Sequence, residues 1–151
     1  MYFFFAILCR KVLQNTVINP LLEGYDFCIG SRFIDKSASL FQTTLTRRIG
    51  ISILSFLIKL VTGSKVYDVT SGYRAANKKV IELFANRYPM NYPEPESIVS
   101  LYKKNFRIIE VSVNMKAREG GKSSITSLKS IKYMFEVGIS ILILSLMKEN
   151  D

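Results

Sequence analysis

The chain has 151 residues, enough for one domain with a real core, and 48% of them are hydrophobic against 22% charged. A net charge of +9 and a pI near 9.6 ask for an anionic partner, and that composition is far from a polytopic membrane protein. Histidine is absent, which excludes imidazole from any metal site or general-base role, and two cysteines (Cys9 and Cys28) make no disulfide framework and suit a reducing compartment.

The opening MYFFFAILCRK has an apolar run with no basic leader before it and no small-residue cleavage site, so it does not read as a signal peptide. It is also well short of the roughly 20 apolar residues that a spanning helix needs. LLEGYDFCIGS reads as a helix end, a turn at Gly24 and a buried strand from Tyr25 to Ile29 closed by Gly30. LFQTTLTRRIGISILSFLIKLVTG is too long and apolar for a strand and reads as a helix, with Lys59 in its last turn and Gly63 just past its end.

KVYDVTSGYRAAN reads as a short strand running into a turn, and Asn77 is placed to cap the helix KKVIELFA, whose Val80, Ile81 and Phe84 share a face. Pro89, Pro93 and Pro95 punctuate a loop before the helix ESIVSLYKKN. RIIEVSVNM alternates, with Ile109, Val111, Val113 and Met115 on one side of a half-buried strand and Glu110, Ser112 and Asn114 on the other. After the loop KAREGGKSS, a helix from about Leu128 to Met147 carries Ile131, Phe135, Ile139 and Leu142 on one stripe, with Lys129, Lys132 and Lys148 at its flanks. Strands alternating with helices imply an α/β layer architecture with a mixed sheet. The last helix suits the headgroup boundary of a membrane, where cations meet anionic lipid; a core helix or a subunit contact is the other reading.

Chemistry concentrates in a few places. Asp68-Val69-Thr70-Ser71-Gly72-Tyr73-Arg74 joins short polar side chains, a glycine that admits close backbone approach, and a forked cation suited to phosphate. The same residues also fit a structural Asx turn with a surface arginine. Arg118-Glu119-Gly120-Gly121-Lys122-Ser123-Ser124 enters a helix in the manner of a phosphate loop but lacks the Walker A spacing, and basic Gly-Ser loops are often only solvated. Arg32 follows the first strand at the edge where α/β sheets bind ligands, and Arg47 and Arg48 open the long helix; singly, each also reads as a solvated arginine. Glu94 and Glu96 sit at a helix start, where the helix dipole favours acids whatever else they do.

Taken in order, YDFCIGSRF, an arginine-led helix, DVTSGYRA, YPEPES, EVSVNMKAREGGKSS and an apolar C-terminal helix resemble the second half of a family 2 glycosyltransferase. The likeness runs from about Asn19 to Met147 and is to the branch that loads sugars onto polyprenyl or dolichyl phosphate. It implies a partial GT-A fold, with residues 1–18 as a divergent start, 19–127 as the acceptor-side half and 128–151 as a membrane-surface helix. It further implies transfer of a sugar from a nucleotide sugar to a lipid-linked phosphate in cell-surface polysaccharide synthesis, at the cytoplasmic face of the membrane.

By that resemblance Asp68 lies nearest the acceptor as base or orienter. Arg32, Arg48, Ser71 and Arg74 hold the acceptor phosphate, Arg118 and Lys122 close over the nucleotide diphosphate, and Glu94 and Glu96 are acceptor-side carboxylates. The family holds magnesium or manganese with an Asp-x-Asp motif some tens of residues before Gly30-Ser31-Arg32. MYFFFAILCRKVLQNTV has no acidic residue there, so no metal site is expected, and the chain reads as truncated and inactive alone. The competing expectation is a non-catalytic membrane-associated module that partners another glycosyltransferase, a small membrane protein or a second copy. Nucleic acid is not expected, because the cations do not cluster with exposed aromatics.

Overall fold

A computed structural model describes residues 11–35, 45–114 and 127–147. At its centre is strand β1 (Phe27–Ser31), in which all five residues are buried. It can be buried on both faces because each face has its own cover. Phe27 and Ile29 point into the larger core, while Cys28 joins the smaller one on the other side of the sheet.

Helix α1 (Lys11–Leu22) covers the smaller side with Val17 and Leu21. The turn after it places Gly24 at φ +95°, the left-handed conformation that glycine adopts without cost. β1 starts two residues later than the sequence suggests, because Asp26 acts as a tie: its carboxylate accepts from the Arg107 amide (2.8 Å) and from the Asn77 side chain (2.6 Å). Gly30 lies inside the strand rather than closing it, and a Cβ there would run into the Tyr73 ring and approach Val113 Cγ1 to 3.1 Å.

The larger core is walled by four helices. These are α2 (Leu45–Thr62), α3 (Lys78–Asn86), α4 (Pro93–Lys103) and α5 (Ser127–Leu146). Ile51, Leu54 and Ile58 of α2, Val80 of α3, Ile98 and Leu101 of α4, and Val137 and Ile141 of α5 meet over β1. α2 has Lys59 in its last turn and Gly63 at φ +74° beyond it, as its sequence predicts. Asn77 caps α3 by accepting from the Val80 amide at 3.1 Å.

Two further stretches differ from their sequence reading. α4 begins at Pro93, so Pro93 and Pro95 lie in its first turn rather than in a loop; the amides they lack would have had no helical partner there. No strand precedes the DVTSGYR turn. Strand β2 is Arg74–Ala76, after it, since the Tyr67 and Asp68 amides are taken by the Glu110 carboxylate instead of a neighbouring strand.

Strand β3 (Ile108–Ser112) completes a three-stranded mixed sheet in the order β2-β1-β3, with β1 antiparallel to β2 and parallel to β3. Ile109, Val111 and Val113 pack on the α1 side as the alternation predicts. The fold is therefore mixed α/β. Among the described residues no helix is long and apolar enough to cross a membrane.

α5 is held by the side opposite to its long apolar stripe. Val137 and Ile141 are buried, while Phe135 is 72% exposed and Ile139 and Leu142 also face outward. Lys103 of α4 ties down its end by donating to the Leu144 and Met147 carbonyls at 2.8 and 2.6 Å, a cation placed where the helix dipole favours one.

Candidate functional site

The carboxyl ends of β1 and β3 lie at one sheet edge, and the chain leaving β1 there meets the turn that precedes β2. Arg32 and Asp68 form a bidentate pair across this junction. Arg32 Nε donates to Asp68 Oδ2 at 2.7 Å, Nη2 donates to Oδ1 at 2.8 Å, and the Arg32 amide adds a bond of 3.2 Å to Oδ2. Asp68 is fully buried and the Arg32 side chain is 10% exposed. Thr70 Oγ1 closes the arrangement, accepting from Arg32 and donating to Asp68. A carboxylate committed in this way orients a guanidinium.

Ser71 is a structural tie as well. Its hydroxyl donates to the Gly30 carbonyl at 2.6 Å and accepts from the Tyr73 amide, which fastens the turn to β1. Arg74 spends its donors within the fold, on the Ser71 carbonyl (2.6 Å), the Ser97 hydroxyl (2.6 Å) and the Val69 carbonyl (3.3 Å). Burial pulls its guanidinium down to about 10, against the opposing pull of Glu94, Tyr88, Asp68 and Glu110. Arg74 and Glu94 both line a largely apolar pocket of about 670 Å³ between β2, α3 and the start of α4, with Phe27, Phe84 and Tyr88. Glu96 is elsewhere: it is buried and accepts from the Ser140 hydroxyl, pinning α4 to α5.

Arg48 lies on α2 and lines a separate pocket of about 410 Å³ beside Phe33 and Tyr67, the neighbours of Arg32 and Asp68. Lys59 and Lys65 line it too, as do Ser52 and Ser55, and among the described residues no carboxylate does. Lys65 rests over the Tyr67 ring at 4.3 Å, and the Arg32 guanidinium lies 5.2 Å from the centre of the Phe33 ring. The charged side chains among its described lining residues are all cations. Of the residues singled out from sequence, the structure joins Arg32, Asp68 and Ser71 in one network, sets Arg48 next to it, turns Arg74 and Glu94 toward the apolar pocket and separates Glu96. Arg118 and Lys122 lie outside the described residues.

Sequence reasoning missed Lys65, Tyr67 and Glu110, and gave Lys59 only a helix-end role. Glu110 accepts the Tyr67 and Asp68 amides at 2.7 Å each and a bond from the Ser31 hydroxyl. Burial nevertheless pushes its carboxyl above the ordinary range, with the neighbouring Asp68 charge adding to the rise. One signal was available, since Glu110 is the only charged residue in an otherwise apolar-and-small strand.

No group of three or more Cys, Asp or Glu among the described residues is placed to hold a metal ion. Asp68 and Glu110, the carboxylates nearest the candidate site, are already committed to Arg32 and to backbone amides, so they do not fit a divalent cation.

Fold and site together define a mixed α/β protein with a cationic pocket at the carboxyl edge of its sheet. Over 108 residues, 68% of this chain, it is 37% identical to an uncharacterized protein of Methanocaldococcus jannaschii, of which the match covers 43%. Over 63 residues, 42% of this chain, it is 35% identical to the glycosyltransferase AglJ of Haloferax volcanii, of which the match covers 20%. The chain thus spans less than half the length of these curated relatives. No protein-family model matches it, and no solved structure matches it significantly.

Proposed function

We propose that the chain forms the acceptor side of a family 2 glycosyltransferase that moves a sugar from a nucleotide sugar to a lipid-linked phosphate of the polyprenyl type. In this reading residues 19–127 form the acceptor-side half, and the region 128–151, which includes most of α5, lies on the cytoplasmic face of the membrane. The observation that carries the proposal is the double character of α2. The helix gives Arg48 and Lys59 to the cationic pocket, and Ile49, Ile53, Phe56 and Leu60 to an exposed apolar surface. That surface continues onto α5, where Ile49 and Ile53 share a groove with Phe135, Ile139 and Leu142. A lipid phosphate asks for both, a cationic seat for its head and an apolar bed for its chain.

The chemistry follows from the acceptor. A phosphate oxygen attacks the anomeric carbon, the bond from that carbon to the diphosphate oxygen breaks, and the nucleoside diphosphate leaves with the electron pair. The attacking oxygen is already anionic, so no base is required, in keeping with Asp68 being committed to Arg32. Arg48, Lys59 and Lys65 hold and align the head; Arg32, fixed by Asp68, sets the neighbouring charge. Arg118 and Lys122 are assigned to the leaving diphosphate. No step is assigned to a metal, because the described carboxylates do not fit one.

The test is binding of the purified chain to phosphatidylcholine vesicles with and without a small fraction of polyprenyl phosphate. Binding that needs the polyprenyl phosphate, and that Arg48→Ala weakens, is the expected result. Equal binding to both vesicles would sink the assignment. Adding labelled nucleotide sugar and manganese extends the assay: label in the lipid fraction identifies transfer by this chain. Specific vesicle binding without label favours a module that presents the acceptor to a partner.

A further inference from the structure

Glu110 lines none of the three pockets described above, yet it anchors the segment that forms one wall of the cationic pocket. Its two oxygens are divided between consecutive amides, Oε2 to Tyr67 and Oε1 to Asp68. Tyr67 and its neighbour Lys65 line the pocket, and Asp68 holds Arg32. One carboxylate on β3 therefore fixes both the pocket wall and the ion pair beside it. We propose that Glu110 is a positioning residue whose ionised carboxylate sets the Tyr67–Asp68 turn, so that anion binding at the Arg48–Lys59–Lys65 pocket requires Glu110 to be unprotonated. The inference rests on the anion-seat reading above.

Protonation removes the symmetry of the clamp. A neutral carboxyl keeps one good acceptor, and its O–H oxygen turns a hydrogen toward an amide that is itself a donor. One of the two anchoring bonds then weakens, and the turn that carries Tyr67 and Asp68 loses its fixed place. Burial raises the Glu110 carboxyl above its ordinary value, so this switch operates at higher pH than that of an exposed glutamate.

Three of the other groups facing Glu110 titrate at alkaline pH. Cys28 on β1 is pushed up to about 12, Arg74 on β2 stands at about 10, and burial raises Tyr102 on α4 above its ordinary value. Ser31 and Tyr67 complete its surroundings together with Asp68. No histidine is present to supply a competing transition.

The experiment uses sulfate, a tetrahedral anion whose charge is constant from mildly acid to mildly alkaline pH. Its affinity is measured by nuclear magnetic resonance titration at fixed ionic strength. For the wild-type chain, affinity is expected to fall about tenfold as pH drops through the Glu110 transition, the loss that one charge-assisted hydrogen bond commonly produces. The Tyr67 and Asp68 amide signals should shift along the same curve, a readout that needs no variant. Glu110→Gln keeps the shape and can accept from only one amide. It should bind sulfate weakly at every pH, with a flat profile, while its circular dichroism stays that of a folded chain.

A wild-type chain that binds sulfate with no pH dependence, or a Glu110→Gln chain that keeps the wild-type profile, would overturn the inference and leave the anion seat standing. No sulfate binding by the wild type at any pH would instead remove the anion seat, and the inference with it.

Discussion

At the scale of single residues, Asp68 and Arg32 show how a catalytic-looking acid can serve as an anchor. The pair is bidentate, almost dry and closed by Thr70, so it behaves as one unit. Asp68→Asn removes the buried carboxylate that holds the Arg32 guanidinium and is expected to cost about 3–5 kcal/mol in urea unfolding. Arg32→Ala should cost a similar amount, and the double variant much less than the sum, because both changes remove the same interaction. Additive losses would mean that the two side chains act separately.

Glu110 carries a different signature. Its folded carboxyl titrates higher than an unfolded one, so the folded state binds the extra proton between those two values. Its contribution to stability is therefore most favourable at acid pH and declines as pH rises through the raised value. The difference in melting temperature between the wild type and Glu110→Gln should shift toward the wild type on acidification. Sulfate affinity should move the opposite way. General acid unfolding would lower both together.

At the scale of elements, contacts between helices and sheet set what each position tolerates. Gly30 sits where β1 passes beneath the Tyr73 ring, and its carbonyl receives the Ser71 hydroxyl. Gly30→Ala should destabilise by about 1–3 kcal/mol through overpacking, read from the unfolding midpoint. Ser140→Ala removes the hydroxyl that α5 offers to the buried Glu96 carboxylate and is expected to cost about 1–3 kcal/mol. Loss of vesicle binding with unchanged stability in that variant would instead return Glu96 to the acceptor side.

α2 and α3 were legible because they announce themselves locally: Asn77 as a cap, Gly63 as a stop, and in α2 an apolar run too long for a strand. The central strand was legible as an unbroken apolar run. What sequence could not show is where long-range polar partners go. The amides of Tyr67 and Asp68 look like those of any strand until Glu110, more than forty residues away, is seen to accept them. For the same reason Arg74 and Glu96 resemble ligand-binding residues by type, although Ser97, Ser71 and Ser140 already occupy them. Lys65 and Tyr67 escaped notice because a pocket wall in a loop has no periodicity.

At the scale of the whole molecule, the net charge of +9 and the exposed face of α2 and α5 make one joint statement. Phe56 is 64% exposed, Leu60 68% and Phe135 72%, which is an expensive surface to leave in water unless something covers it. If the cover is a membrane, binding should have two separable parts. The ionic part should weaken with salt and lose about fivefold for each cation removed near the surface, as in Arg48→Ala or Lys59→Ala. The apolar part should survive high salt and fall with Phe135→Glu, which sets a charge in the middle of the groove shared with Ile49 and Ile53. Sedimentation with anionic vesicles at low and high salt measures both. If the cover is a second copy of the chain, Phe135→Glu should turn a dimer into a monomer in lipid-free buffer, and anionic vesicles should bind the variant as well as the wild type. The two outcomes exclude each other, since a face occupied by lipid is the same face a dimer would bury.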